Sequence, residues 1–110
     1  MHLPNSDHAV IDSAKIRDYL LSTSHPVGRF KARFFESLGY SAENWEQVEA
    51  DIRDLIAVAE ARPSEKTEYG QKYEVRGSMT GPNGRSADVL TVWIVLTGED
   101  VPRFITAYSG

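Results

Sequence analysis

The sequence predicts an α+β fold: three N-terminal helices packed on one face of a three- to four-stranded antiparallel β-meander. Three observations predict it. Up to about residue 61 the apolar residues recur at the three- and four-residue spacing of amphipathic helices. From Thr67 on they alternate, as strands do, between short turns rich in Gly, Pro and Asn. The 110 residues, 41% apolar and 25% charged, suit one ordinary globular domain and none of the disordered, collagenous or coiled-coil classes. Helices first and strands afterwards form an α+β domain, because each element must bury its apolar face against another layer. The expected division is an extended arm over 1–11, a helical half over 12–61 and an antiparallel sheet over 67–108, all within a single domain, 1–110.

Leu3-Pro4-Asn5 opens the arm, since a residue before proline avoids the helical region. The trio Ala9-Val10-Ile11 is apolar enough to dock on the core. Asp12 or Ser13 caps a first helix that runs through about Leu21, with Ile16, Tyr19 and Leu20 facing inward. Ser22-Thr23-Ser24 ends it. A second helix begins near Pro26, where a missing N–H does no harm, and stops near Leu38 because Gly39 suits the residue after a helix. Ser41 caps a third helix to about Ala61, with Trp45, Val48, Ile52, Leu55, Ile56 and Ala59 as its buried stripe. Thr67 to Tyr69 reads as a short extra strand or a bulged extension. Tyr73 to Arg76 alternates as a half-buried strand. Gly81-Pro82-Asn83-Gly84 is a hairpin turn, with a three-residue loop or a two-residue loop at Asn83-Gly84 as the two registers. Val89 to Leu96 is apolar on both faces and reads as a central strand. Arg103 to Tyr108 is the last strand.

Composition narrows the function classes. There is no cysteine, hence no disulfide, thiolate metal site or thiol chemistry. His2, His8 and His25 are dispersed and carry no metal-ligand spacing, so no metal and no cofactor is expected. Phosphate-binding, dinucleotide and nucleophile-elbow motifs are missing too. Met1 to Val10 has no basic stretch followed by an apolar one, and the longest apolar run, Val92 to Leu96, is far below the ~20 residues of a membrane span. The expectation is a cytoplasmic protein that does not touch the membrane. The net charge of −4 argues against a generic nucleic-acid coat. The charge is uneven, however. Ser41 to Ala61 holds six acidic residues and one basic, whereas His25 to Glu36 holds Arg29, Lys31 and Arg33 against Glu36.

One residue breaks the pattern of the second helix. At about 100° per residue, Lys31 falls inside the apolar stripe made by Val27, Phe34 and Leu38. Lysine is seldom buried unpaired, so its ammonium group needs water, a carboxylate or a ligand. Snorkelling to solvent, a shallow site on the sheet and a buried ion pair are the three readings. Glu68 and Tyr69 are possible partners. His25, beside the helix start, and Arg29, one turn on, add positive charge where free backbone N–H groups already favour an anion. On the last strand, Thr106 and Tyr108 would share a face with Phe104 in a regular strand. The candidate anion-binding set is His25, Arg29, Lys31 and Arg103. The candidate catalytic set is His25, Lys31, Thr106 and Tyr108.

The segments LPNSDHAVID, HPVGRFKARFFESLGY, TEYGQKYEVRG, TGPNGRSA, TVWIV and PRFITAY together resemble a family of small bacterial domains of unknown function. More broadly, the order of elements and the ending PRFITAY resemble bacterial toxin ribonucleases of the barnase and colicin kind. That resemblance implies a helix carrying His or Lys set against strand residues such as Arg, Thr or Tyr, which cleave RNA without a metal. Here the matching positions are His25, Lys31, Arg103, Thr106 and Tyr108. It also implies a protein partner of the antitoxin or immunity type. Three functions therefore stand at this point: a non-catalytic binding module for a protein or a small anion, a metal-independent endoribonuclease, and a structural or accessory domain with no pocket. A site of the second kind needs a group that titrates near working pH. His25 meets that need unperturbed, whereas Lys31 would need burial.

Overall fold

Ser41 and Asn44 start the longest helix. The Asn44 side chain accepts the Ser41 backbone N–H at 2.7 Å, and a 3-10 turn over Ala42–Asn44 leads into α2, Trp45–Val58. Val48, Ile52, Leu55 and Ile56 form its buried stripe, with Trp45 and Ala59 packed half-buried beside them. The structure, a computed structural model, describes residues 1–22, 24 and 28–110, with side chains for all of these but 28–30.

The helix preceding it, α1, spans Gly28–Glu36. Past its last turn the Tyr40 N–H bonds Phe35 O at 3.1 Å and the Gly39 N–H bonds Glu36 O at 2.9 Å, with Gly39 at φ 94°. This paired closure satisfies the last carbonyls of the helix. The expected start at Pro26, with His25 beside it and Val27 on the stripe, lies outside the described residues.

The first expected helix forms over nearly its expected span, from Ser13 to Leu20, but mostly as a π-helix. The Ala14 N–H bonds the Asp12 carboxylate at 2.9 Å, and the chain then forms a π-helix, Lys15–Leu20, closed by the Leu21 N–H on Ile16 O at 3.0 Å. Ile16 and Leu20 are buried and Tyr19 is half-buried. The expectation of three N-terminal helices packed on one face of the sheet is corrected in part: the first is a short π-helix, and only α2 is long.

The strands are β1 Ala61–Thr67, β2 Gly70–Thr80, β3 Ser86–Leu96 and β4 Pro102–Ser109, antiparallel neighbours in chain order. β3 is central, as expected: Trp93 lies opposite Tyr73 on one side and Phe104 on the other. β1 is a second correction. α2 stops at Val58, Ala59 is extended at ψ 152°, and the sheet begins at Ala61 rather than near Thr67. Glu68 and Tyr69 sit in the turn between β1 and β2. An edge strand exposed from residue 62 to 66 shows no apolar alternation, and Pro63 is tolerated there because an edge can forgo a ladder bond.

One face of the sheet carries Val75, Met79, Val89 and Trp93 into the core against α2 and the π-helix. Thr91 is fully buried but satisfied: its hydroxyl donates to Val75 O at 3.0 Å and accepts the Trp93 indole N–H at 2.8 Å. The N-terminal arm buries Leu3, Ala9 and Ile11, while Val10 bridges to β4 through Pro102 O and the Phe104 N–H. Arg53 of α2 ties the arm down by donating to Ala9 O at 2.8 Å.

The β2–β3 hairpin has the three-residue loop. The Gly81 N–H bonds Arg85 O at 2.9 Å, the Gly84 N–H bonds Gly81 O at 3.0 Å, and Gly84 sits at φ 84°. Its tip closes the end of α1, with the Asn83 N–H on Leu38 O at 3.3 Å and its Nδ2 on Ser37 O at 3.0 Å. A Cβ on Gly81 would lie 1.9 Å from Leu38 O, which is backbone and cannot swing aside. Gly81→Ala is therefore expected to cost roughly 3 kcal/mol in a urea titration. Gly84→Ala, which meets open space, should cost only about 1 kcal/mol of backbone strain.

Tyr40 gives the fold an alkaline limit. Its phenol donates to the Asp51 carboxylate at 2.5 Å. Burial first, and then that carboxylate, push the phenol up from its ordinary 10.0. The folded chain thus holds the proton more tightly than the unfolded chain does, a stabilisation fully present below pH 10.0 and lost as pH rises through the higher folded value. The urea midpoint of the native chain should fall above pH 10, and Tyr40→Phe should fall less steeply over the same range.

Candidate functional site

The site begins with a register shift in β4. Val92 pairs with Thr106 but Trp93 pairs with Phe104, so Ile105 is an extra residue on β4. Burial changes phase with it: Pro102, Phe104 and then Ala107 are buried, whereas Thr106 is half-buried and Tyr108 is 37% exposed. Phe104 meets the core, ring to ring with Trp93 at 5.3 Å. Thr106 and Tyr108 instead lie on the other face with their register partners Val92 and Leu90. The expectation that Phe104, Thr106 and Tyr108 share a face is corrected by this bulge, which a regular alternation does not contain.

Lys31 of α1 reaches that strand. It is half-buried, and its ammonium group donates to Thr106 Oγ1 and to Tyr19 Oη, each at 3.0 Å. It also lies 5.1 Å from the centre of the Tyr19 ring and 5.7 Å from that of Tyr108. Among the described residues no carboxylate pairs with it. Two of the three ammonium donors are thus used on neutral oxygens, and the charge has no counter-charge among the described residues. Glu68 and Tyr69, considered as partners from the sequence, are in the β1–β2 turn and make none of these contacts.

The ammonium group opens on a cleft of about 520 Å³ between the π-helix, α1 and β4, lined by Ala14, Lys15, Asp18, Tyr19, Lys31, Ile105 and Thr106. Lys15 reaches across it to Ile105 O at 3.4 Å. The one carboxylate in the lining, Asp18, is taken by Arg17 at 3.0 and 3.3 Å, and hydrogen bonding from that guanidinium holds its carboxyl below the ordinary range. The cleft therefore offers cations, hydroxyls and aromatic faces to an anionic or hydroxyl-bearing ligand.

The remaining sequence-predicted residues divide. Arg103 lies on β4 opposite Ile94 and is engaged by Glu99 at 3.0 and 3.3 Å, not by the Lys31 cluster. Arg29 is in α1, and its side chain is outside the described set, as is His25. Tyr19 was read from the sequence as a core residue. Its apolar ring satisfies that reading, and a phenol at the end of an inward-facing ring is the only sequence signal of its second contact. No group of three or more His, Cys, Asp or Glu side chains that could hold a metal occurs among the described residues. Among these residues, no helix is long and apolar enough to cross a membrane.

Fold and site together define an α+β domain whose helices cover one face of an antiparallel sheet and whose lysine is lodged among hydroxyls at the last strand. The chain belongs to the family described as Domain of unknown function (DUF6883), whose family model matches residues 2–110. It is similar in fold to a chain of the contact-dependent growth inhibition toxin–immunity protein complex from Klebsiella pneumoniae 342, with a TM-score of 0.69 at 18% identity, over 92% of this chain and 99% of that one. No curated protein matches it.

The Lys31–Thr106 contact can be measured by a double-mutant cycle. Thr106→Val should cost about 1 kcal/mol in the native background and nothing measurable in Lys31→Met, because the hydroxyl's main task is to receive the ammonium group.

Proposed function

We propose that this domain is a metal-independent, toxin-like endoribonuclease centred on Lys31, Thr106, Tyr19 and Tyr108. The observation that carries the reading is the half-buried ammonium group, which has two neutral oxygens as partners and no carboxylate among the described residues. A cation held this way is ready for a phosphate. The fold likeness to a chain of a toxin–immunity protein complex supports the same direction.

In the proposed reaction the RNA 2′-hydroxyl oxygen bonds to phosphorus while the bond from phosphorus to the 5′-oxygen breaks. The 2′ proton passes to a base, and the leaving oxygen takes a proton. The products are a 2′,3′-cyclic phosphate and a 5′-hydroxyl end. Lys31 stabilises the charge that builds on the phosphate oxygens, and the Thr106 and Tyr19 oxygens hold Lys31 in place. Tyr108 flanks the same oxygens. His25, three residues before α1, is the proposed base, because imidazole titrates near neutrality. Arg29 and Arg103 are proposed phosphate contacts outside the cluster. Cytoplasmic RNA is the proposed target, and a protein of the immunity type the proposed restraint.

A second reading has an observation of its own. The similar fold occurs in a complex of two proteins, which favours a non-catalytic module that binds a protein partner. Mixed RNA incubated with the purified domain in the presence of a chelator separates the two. The expected result is cleavage leaving 2′,3′-cyclic phosphate ends, reduced at least about 100-fold in Lys31→Ala while its circular dichroism is unchanged. His25→Ala should remove the neutral limb of the pH–rate profile. Intact RNA after incubation with the native domain would leave the binding module as the surviving reading.

A further inference from the structure

The sheet face opposite the core is a ladder of residues in register, and Lys31 of α1 meets it at β4. Its first row is Lys72, Ile94 and Arg103. The second is Arg62, Glu74, Val92 and Thr106. The third is Arg76, Leu90 and Tyr108. Asp88 follows opposite Ser78. Down the middle run Leu90, Val92 and Ile94, of which Leu90 is buried, with Lys72, Arg62 and Arg76 on the β1–β2 side and Arg103, Thr106 and Tyr108 on the β4 side.

The charges on this face are not equivalent. Lys72 is engaged by Glu65 and Arg103 by Glu99. Arg62 and Arg76 are exposed and have no ion pair among the described residues. They also line a second hollow of about 440 Å³ with Glu60, Glu74 and Leu90. The four cations stand beside four carboxylates, Glu65, Glu74, Asp88 and Glu99, so the face is balanced in sign, and among the described residues its positive charge outside ion pairs is that of Arg62 and Arg76.

We infer that this face is the path of a single RNA strand, entering the Lys31–Thr106 cluster, stacking a base on Tyr108 and placing a neighbouring phosphate on Arg76. Two strand spacings separate Tyr108 from Arg76 in their row, about 10 Å between Cα atoms. A 37% exposed ring with an ammonium group 5.7 Å from its centre sits beside the reacting phosphate of the proposed site. Aromatic stacking takes any base, because every base has a π-face, and an arginine beyond it holds the backbone. The inference rests on the nuclease reading for the chemical class of its ligand.

The test uses a labelled 12-residue RNA whose 2′ oxygens are methylated, so that it binds without being cleaved. Anisotropy titrations compare the native domain with Arg76→Ala, Tyr108→Leu, Tyr108→Phe and, as an off-face control, Arg85→Ala. Binding about tenfold weaker is expected for Tyr108→Leu, with Tyr108→Phe and Arg85→Ala near native. Arg76→Ala should weaken binding and lower the slope of log K against log salt by about 0.7, the signature of one lost single-strand phosphate contact. Equal affinity across all variants, or no binding by the native domain, overturns the path. Cleavable RNA keeps the two proposals apart. Cleavage with KM unchanged in Arg76→Ala and Tyr108→Leu sinks the path and spares the nuclease. Binding with the expected losses but without cleavage spares the path and sinks the nuclease.

Discussion

The extra residue in β4 determines what the rest of the molecule can present. Without Ile105 out of register, Phe104 and Thr106 would point the same way, and either the Trp93–Phe104 contact or the outward threonine would be lost. With it, one short strand serves two faces. Its first half seals the core with Pro102 and Phe104, and its second half hands Thr106 and Tyr108 to the side reached by Lys31. The bulge is also where the N-terminal arm stops pairing, since Val10 uses Pro102 and Phe104 and nothing beyond. From that point the edge carbonyl of Ile105 receives Lys15 instead.

The other half of the geometry is the placement of α1. Its end is fixed twice, by its own closing bonds at Gly39 and Tyr40 and by the hairpin tip resting on Ser37 and Leu38. A hydrogen bond of 3.0 Å from a flexible lysine survives only where the helix cannot slide along the sheet. The hairpin is in turn held by β3, whose Thr91 links the Trp93 indole to the β2 backbone without leaving a buried polar atom unpaired. Site and core therefore share their supports.

Much of this was legible in the sequence, and for stated reasons. The α+β class, the central position of the strand bearing Trp93, the α2 stripe and the inward phase of Lys31 all follow from periodicity. The stop at Gly39 follows from glycine, and the Gly81–Gly84 turn from glycine and proline, while its three-residue register was one of the two that those residues allowed. What stayed hidden depends on contacts between distant segments. β1 carries no apolar alternation because it is an exposed edge. The π-helix differs from an ordinary one by a single shifted hydrogen bond, which leaves the same residues inward. The bulge at Ile105 has no marker such as glycine, so the face of Thr106 was unreadable even though the residue itself was singled out. Tyr19 entered the cluster because its phenol lies where α1 passes, a fact of packing that no spacing encodes.

The Lys31 cluster draws on chain segments as far apart as the 75 residues between Lys31 and Thr106. Contacts of such separation close late, after the loop entropy of everything between them has been overcome. No fragment and no extended chain can hold that lysine among those oxygens. Any stage of synthesis or transport that keeps the polypeptide unfolded also keeps this centre unassembled. It comes into being at the rate of global folding, when the last strand is in place.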